Sequence, residues 1–299
     1  MITVEPHPTD LFTMRVSTAG LTVFLDLFAI KDLAKGDATR RKRFISTLGR
    51  GVEVLFAVSN AAELSGPTEA SFDKMRAFVD EIGPRWFPVE FDPQLCIERE
   101  RQRNDPATCC FSERLLKSFT ATRINRTPDM NVAELPAVLP PDFFRLGLFM
   151  NWLAPQRQDI AELKAQMGRR LKDQIMEHRA HYEKDPSWLD AKFPELPFRA
   201  ECPATFVYIN MVRLLILESK SHVIMPNDGI DFGQAVIGSA YASVATLDKH
   251  WKRRVEMLPK PNKLARIYYR QELDQMVRDI ERHLDNFSLQ RARGLFSIN

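Results

Sequence analysis

Short apolar runs alternate with amphipathic stretches in the first third of the chain. Residues 21–26 and 52–58 are rich in β-forming side chains, as is typical of strands buried on both faces. Residues 37–48 and 72–82 have a helical pattern that ends at glycine. Residues 86–91 predict a third strand, which Pro88 places at a sheet edge. This alternation predicts an open parallel α/β sheet with flanking helices.

The alternation of strand-like and helix-like segments ends at about residue 91. Residues 96–204 contain clustered prolines and long polar helical stretches, including 159–182, and we interpret them as a large helical insertion. The α/β pattern returns with helices at 203–220, 231–242 and 271–284 and strands at 243–246 and 265–269. We therefore expect one elaborated domain over residues 1–299, with its core at 20–95 and 205–285.

Composition and charge narrow the class of protein only slightly. Hydrophobic residues make up 44% and charged residues 27%, and the net charge of +3 is too mild to indicate a nucleic-acid partner by itself. The four cysteines lack metal-site spacing and predict reduced, partly buried thiols. Because neither a signal-peptide pattern nor a membrane-length apolar run is evident, we expect a cytoplasmic protein without a membrane partner.

Four carboxylates stand where strands end or helices begin. Asp26 and Asp248 directly follow predicted strands, whereas Glu63 and Asp231 lie at predicted helix starts. Ligand crevices of open α/β sheets lie at the carboxyl edge, and clustered carboxylates there suit Mg²⁺ or Mn²⁺. Each acid also has an ordinary interpretation: Asp231 as a helix N-cap, Asp248 as a turn residue and Glu63 as a solvated helical acid.

The order of these acids resembles that of the PIN-domain nucleases. Asp26 ends the first strand, the segment from Ser59 to Glu63 follows the second, Asp231-Phe-Gly-Gln-Ala235 opens a helix, and Thr246-Leu247-Asp248 closes a later strand. The resemblance covers roughly residues 20–92 and 222–258. It implies a PIN-like fold, that is, a Rossmann-like three-layer arrangement around the parallel sheet.

The resemblance also implies an activity, a divalent-metal-dependent nuclease that hydrolyses RNA, most readily as an endoribonuclease, or single-stranded nucleic acid. The cofactor would be Mg²⁺ or Mn²⁺, held by Asp26, Glu63, Asp231 and Asp248, with Asp228 as a further ligand and with polar support from Ser59 and Thr246. Because the family is often oligomeric, a homo-oligomer and an antitoxin or other regulatory protein are candidate partners.

Basic residues near the acids favour a nucleic-acid partner. The run after Asp248 contributes phosphate-binding cations and one aromatic side chain, and a second basic cluster lies on the predicted helix at 37–48. The alternative for the run is a solvated helix face with a buried tryptophan. The predicted nucleic-acid-binding residues are Lys249, Trp251, Lys252, Arg253, Arg254, Arg41 and Lys42.

Two other functional classes compete with the nuclease. A haloacid-dehalogenase-type phosphohydrolase needs a second acid two residues after the first, where this chain has Phe28. A non-catalytic RNA-binding or protein-interaction module on a PIN-like core is the stronger alternative. His178 and His181 lack the spacing of a zinc site, so we interpret them as surface or packing residues.

Overall fold

A computed structural model describes most of the chain at residue level. The described residues are 2–5, 13–16, 20–64, 69–102, 105–125, 145–153, 155, 157–218 and 223–292.

Five parallel strands form the central sheet, as predicted. A separate antiparallel pair, β1 (Ile2–Glu5) and β2 (Thr13–Val16), precedes them and was not predicted. The sheet strands are β3 (Thr22–Phe24), β4 (Glu53–Ala57), β5 (Trp86–Val89), β6 (Val244–Thr246) and β7 (Arg266–Tyr268). Their spatial order is β5-β4-β3-β6-β7, so the strand that contains Pro88 lies at an edge, as expected.

Helices connect the strands and cover the sheet. They are α1 (Leu27–Lys35), α2 (Ala38–Gly49), α3 (Val58–Leu64), α4 (Glu69–Ile82), α5 (Pro93–Arg101), α6 (Pro106–Cys109), α7 (Glu113–Asn125), α8 (Leu146–Leu153), α9 (Arg157–Lys184), α10 (Ser187–Lys192), α11 (Pro203–Leu217), α12 (Asp228–Tyr241), α13 (Lys249–Glu256) and α14 (Leu273–Ala292). A 3₁₀ turn, Arg270–Glu272, precedes α14.

The alternation of side chains along each strand separates two apolar cores. Val54 and Phe56 of β4 belong to the core on one face, whereas Leu55 and Ala57 belong to the core on the other. Helices α1, α2, α4, α8 and α14 contribute to the first core, and α5, α9, α11, α12 and α13 to the second. Covering both faces explains why these strands are continuous apolar runs.

The segment predicted as an insertion packs into these same cores. Phe119 and Phe149 join the core of α1 and α4, while Leu171 and Ile175 of α9 join the other. Between β5 and β6, the described residues form helices α5 to α12 and no named strand. These helices are therefore part of the body of the molecule rather than a detached appendage.

Two helix starts differ from the sequence prediction. Helix α12 begins at Asp228, three residues before the expected start, and its N-cap position is Asn227. Asp231 is therefore in the first turn, and its interpretation as an N-cap is wrong. Helix α3 begins at Val58, so Glu63 lies in its second turn rather than at its start.

The four cysteines are free, as predicted, with Cys96, Cys109 and Cys110 buried. Burial raises the pKa of the Cys110 thiol to about 12, which keeps it protonated and unreactive near neutral pH. Over the described ranges, no helix is both long and apolar enough to cross a membrane.

Candidate functional site

Four carboxylates from distant parts of the chain come together at the carboxyl edge of the sheet; we call Asp26, Glu63, Asp231 and Asp248 the acidic site. Asp26 follows β3, Glu63 lies on α3 after β4, and Asp248 follows β6, while Asp231 lies in the first turn of α12. The pairing of β3 with both β4 and β6 places the carboxyl ends of these strands side by side.

The strand order marks this position as a ligand crevice. From β3 the chain continues to β4 and β5 on one side, and later returns to place β6 and β7 on the other. The order therefore reverses between β3 and β6, which is the topological switch point where open α/β sheets bind ligands. Asp26 and Asp248 follow the two strands that border it.

The charges of the acidic site act on one another. Burial raises the pKa of Asp26 well above its ordinary value, and the charges of Glu63, Asp231 and Asp248 raise it further. Burial, Glu63, Asp248 and Asp228 together raise the pKa of Asp231 to about 7. These shifts place Glu63 and Asp248 close to both Asp26 and Asp231, with too little positive charge nearby to compensate the carboxylates.

Asp26 is held rigidly by its own backbone and by the neighbouring strand. Its side chain is 9% exposed, and Oδ1 accepts a hydrogen bond of 2.5 Å from the backbone N–H of Leu27 at the start of α1. Its own N–H donates to Oγ1 of Thr246 over 2.8 Å, and Thr246 is fully buried. The predicted polar support from Thr246 thus consists of fixing the Asp26 backbone against β6.

Glu63 uses both carboxylate oxygens in contacts that the sequence did not predict. Oε1 lies 2.9 Å from Nζ of Lys164 on α9, and Oε2 accepts from Nε2 of Gln234 on α12 over 3.0 Å. Gln234 also donates to Oγ of Ser59 over 3.4 Å, which places the predicted polar residue Ser59 next to the acidic site.

Sequence spacing could have indicated one of these two missed residues. Gln234 lies three residues after Asp231 on the same helix, so the two share a helix face. Lys164 is 101 residues from Glu63 and carries no local signal.

Asn60 is a further polar residue near the site that the sequence did not predict. Its Oδ1 accepts from the backbone N–H of Ala57 over 2.8 Å, and its Nδ2 donates to the carbonyl of Leu25 over 3.1 Å. The buried amide therefore ties the ends of β3 and β4 together directly beneath Asp26.

Asp248 and Asp228 differ in exposure. Asp248 occupies the N-cap position of α13, yet its exposed side chain makes no capping hydrogen bond, so the turn does not use its carboxylate. Asp228 is buried, and its Oδ2 accepts from the backbone N–H of Met225 over 2.7 Å. Its Oδ1 lies 4.0 Å from Nε2 of His250. Asp228 thus has a structural contact of its own beside Asp231.

The donor chemistry of the acidic site fits a hard divalent cation, although the side chains do not enclose one. Within the described residues, no three His, Cys, Asp or Glu side chains lie close enough to hold one ion between them. Mg²⁺ usually keeps several waters and takes only one or two protein carboxylates, so a complete protein cage is not required. Burial and neighbouring carboxylates raise the pKa of Asp26 and Asp231, and this shortage of positive charge is the observation that favours a cation.

The basic run after Asp248 is largely used inside the protein. Trp251 is 1% exposed, so it cannot stack on a nucleobase, and its assignment to the nucleic-acid-binding set is corrected. Arg254 is also buried and pairs with Glu218 over 2.7 Å. Lys252 pairs with Glu272 over 2.6 Å. The buried-tryptophan alternative therefore describes this helix better than a stacking surface does.

The remaining predicted cations divide between paired and exposed side chains. Arg41 contacts Glu81 through two hydrogen bonds, of 3.0 and 2.7 Å, whereas Lys42 beside it is exposed. Lys249 and Arg253 of α13 are exposed as well. Lys249 directly follows Asp248, so one exposed cation adjoins the acidic site.

The two histidines pack as expected. The His178 ring lies 4.8 Å from that of Phe193, and the His181 ring stacks on Trp188 at 5.1 Å. Neither is near the acidic carboxylates in any described contact.

A cavity of about 330 Å³ opens at the same sheet edge. Val58 after β4, Phe91 after β5 and Leu163, which precedes Lys164 on α9, line part of it. The cavity therefore has predominantly apolar walls and lies beside the segments that carry Glu63 and Lys164.

Comparisons of the chain with protein-family models, with curated proteins and with solved structures found no match.

Proposed function

We propose that this protein is a divalent-metal-dependent nuclease on a PIN-like core, and that it acts as an endoribonuclease on RNA or single-stranded nucleic acid. The observation that carries the proposal is that burial, together with Glu63 and Asp248, raises the pKa of both Asp26 and Asp231 at the switch point of the sheet. Four separate elements supply these side chains, which is more than helix capping or surface solvation requires.

The acidic site would hold Mg²⁺ or Mn²⁺ through Asp26 and Asp248, with Asp231 and Glu63 as further ligands or water-orienting groups. A bound divalent ion would lower the pKa of a coordinated water and offset the charge of the phosphodiester. The protein keeps Asp26 in place through Leu27 and Thr246 and leaves Asp248 accessible. This combination of one buried and one exposed carboxylate suits a site that both retains an ion and admits a substrate.

A nucleic-acid substrate is supported by two features beside the acidic site. Lys249 and Arg253 are exposed on α13 and can contact phosphates. The apolar cavity that Val58 and Phe91 help to line offers a surface for the flat face of a base.

One contact favours the non-catalytic alternative, an RNA-binding or protein-interaction module. Lys164 places a positive charge 2.9 Å from Glu63, where it partly replaces a metal ion. The nuclease should bind a divalent metal ion and cleave RNA, whereas the non-catalytic module should not cleave RNA.

The decisive experiment is cleavage of single-stranded RNA by the purified chain with and without Mn²⁺. We expect Mn²⁺-dependent cleavage that falls by about 10³-fold or more, roughly 4 kcal/mol of activation free energy, in Asp26→Ala and in Asp248→Ala. Asp173→Ala is the matched control, because Asp173 is an exposed acid on α9 away from the sheet edge. Absence of cleavage, or equal cleavage by the site variants and the control, would exclude the nuclease.

A further inference from the structure

Helix α9 reaches the acidic site through a close crossing with the start of α12. A Cβ atom added to Gly168 of α9 would lie 1.9 Å from the carbonyl oxygen of Pro226. One added to Gly229 would lie 2.5 Å from the carbonyl carbon of Met167. The two backbones are thus in direct contact at a place where neither tolerates a side chain, and the position of α9 relative to Asp231 is fixed.

Lys164 lies one helical turn before Gly168 and on the same face of α9. From there its Nζ reaches Oε1 of Glu63 at 2.9 Å, and its positive charge also lowers the pKa of Asp231. In the described part of the chain, it is the cation that pairs with a carboxylate of the acidic site. The helical insertion therefore supplies a positive charge that pairs directly with the acidic site.

Each oxygen of Glu63 already accepts one contact, and a divalent cation bound beside them would repel the positive charge of Lys164 but not the neutral amide of Gln234. Gln234, which holds Oε2, is 4% exposed and also bonded to Ser59. Lys164 holds Oε1 with a side chain that is 27% exposed and has a flexible four-carbon stem. Of the two partners, Lys164 is the more exposed and the one whose charge a bound cation would repel.

We propose that Lys164 is a built-in competitor of the divalent cation: it neutralises Glu63 in the cation-free protein, and a bound Mg²⁺ or Mn²⁺ displaces it. The inference rests on the proposed function because it concerns the same metal position. Displacement also leaves the ammonium group beside the acidic site, where it can contact the phosphate of a substrate. Lys164 thus sets how much divalent ion is needed to fill the acidic site.

The test is calorimetric titration of MnCl₂ into the purified full-length chain, comparing wild type with Lys164→Met. Removing the competing charge should lower the Kd for Mn²⁺ by about tenfold, and the melting temperature without metal should fall because Glu63 is left uncompensated. Lys164→Arg keeps the charge and should bind Mn²⁺ like wild type. Lys172→Met removes an exposed charge two turns further along α9 and is the matched control.

Equal or weaker Mn²⁺ binding by Lys164→Met than by Lys172→Met overturns the inference. Lys164→Gln, smaller and polar, repeats the comparison if the methionine variant does not fold. RNA cleavage at saturating Mn²⁺ separates this inference from the proposed function. If Lys164→Met binds Mn²⁺ more tightly but wild type does not cleave RNA, Lys164 is a competitor of the cation and the protein is not a nuclease. If wild type cleaves RNA but Lys164→Met binds Mn²⁺ with unchanged affinity, the protein is a nuclease and Lys164 is not a competitor. If neither wild type nor Lys164→Met binds Mn²⁺, both the competitor and the nuclease are rejected.

Discussion

Two groups of carboxylates in this molecule, at Glu100 and at the acidic site, differ in how their charge is compensated. Glu100 of α5 accepts four hydrogen bonds. Its Oε1 accepts from the backbone N–H of Ala204 and the hydroxyl of Tyr241, at 2.8 and 2.7 Å. Its Oε2 accepts from the N–H and hydroxyl of Thr205, at 2.8 and 2.6 Å. These donors include the free amides at the start of α11, where the helix dipole favours a negative charge.

Asp26 and Asp231 of the acidic site have the reverse arrangement, because burial and neighbouring carboxylates rather than donors dominate their surroundings. Asp26 accepts one described hydrogen bond, from Leu27, and its neighbours raise its pKa together with that of Asp231. A buried carboxylate that satisfies a helix start stabilises the fold. Carboxylates that converge on one another cost stability and leave a place for a cation.

The largest change in stability should come from replacing Glu100, whose carboxylate accepts four hydrogen bonds. Glu100→Gln replaces an acceptor of four hydrogen bonds by an amide whose NH₂ faces donors, and we expect a loss of about 3 kcal/mol in the free energy of unfolding. Urea denaturation measures it. Glu98→Gln, an exposed position on the same helix, is the control. A loss below about 1 kcal/mol would show that Glu100 is not the anchor of α11.

Neutralising Asp231 of the acidic site should raise the free energy of unfolding, whereas Glu100→Gln should lower it. Since the pKa of Asp231 rises from its ordinary value of 3.8 to about 7 on folding, its charge destabilises the metal-free protein at pH 8. The half-buried position reduces the electrostatic cost, so Asp231→Asn should add about 1–2 kcal/mol of stability there. Thermal unfolding in the presence of a chelator measures the change.

The sign of this prediction follows from proton binding. The folded protein binds a proton at Asp231 more tightly than the unfolded chain, so that stabilisation is present below about pH 4 and is lost as the pH rises through about 7. The advantage of Asp231→Asn should therefore be near zero at pH 4 and greatest at pH 8. Asp173→Asn, the exposed control, should show no such trend, and a pH-independent difference for Asp231→Asn would contradict this account.

The smallest effect should come from removing a neutral donor at the sheet edge. Gln234→Leu leaves Oε2 of Glu63 and the hydroxyl of Ser59 without that partner, and we expect a loss of about 0.5–1 kcal/mol in unfolding free energy. The measurement is urea denaturation without metal. A loss as large as that of Glu100→Gln would mean that the acidic site depends on its donors after all, and the contrast between the two regions would fail.

Local patterns predicted the parallel sheet and the strands that Asp26 and Asp248 follow. The apolar runs that end at Asp26 and Asp248 have the local composition of buried strands. Pro88 indicates an edge strand because proline has no N–H to donate to a neighbouring strand. Whether the core is PIN-like and whether it cleaves nucleic acid stay predictions.

The rest of the site could not be predicted because it depends on pairing across the chain. A basic run has the same appearance whether its side chains contact solvent or ion-pair internally, and only the fold shows that Arg254 faces Glu218 and that Trp251 is buried. Likewise, no local signal connects Lys164 to Glu63 across 101 residues.

The pairing of β3 with β6 has a consequence for synthesis. The contact between Asp26 and Thr246 joins residues 220 positions apart, which ribosomes translating about 5–20 residues per second separate by roughly 10–45 s. During that interval β3 has an open edge, and while residues 64–230 are being added the nascent chain carries Asp26 and Glu63 without Asp231 or Asp248. A polypeptide released early therefore contains half of the acidic site, so any chemistry of the complete site begins only after residue 248 has been added.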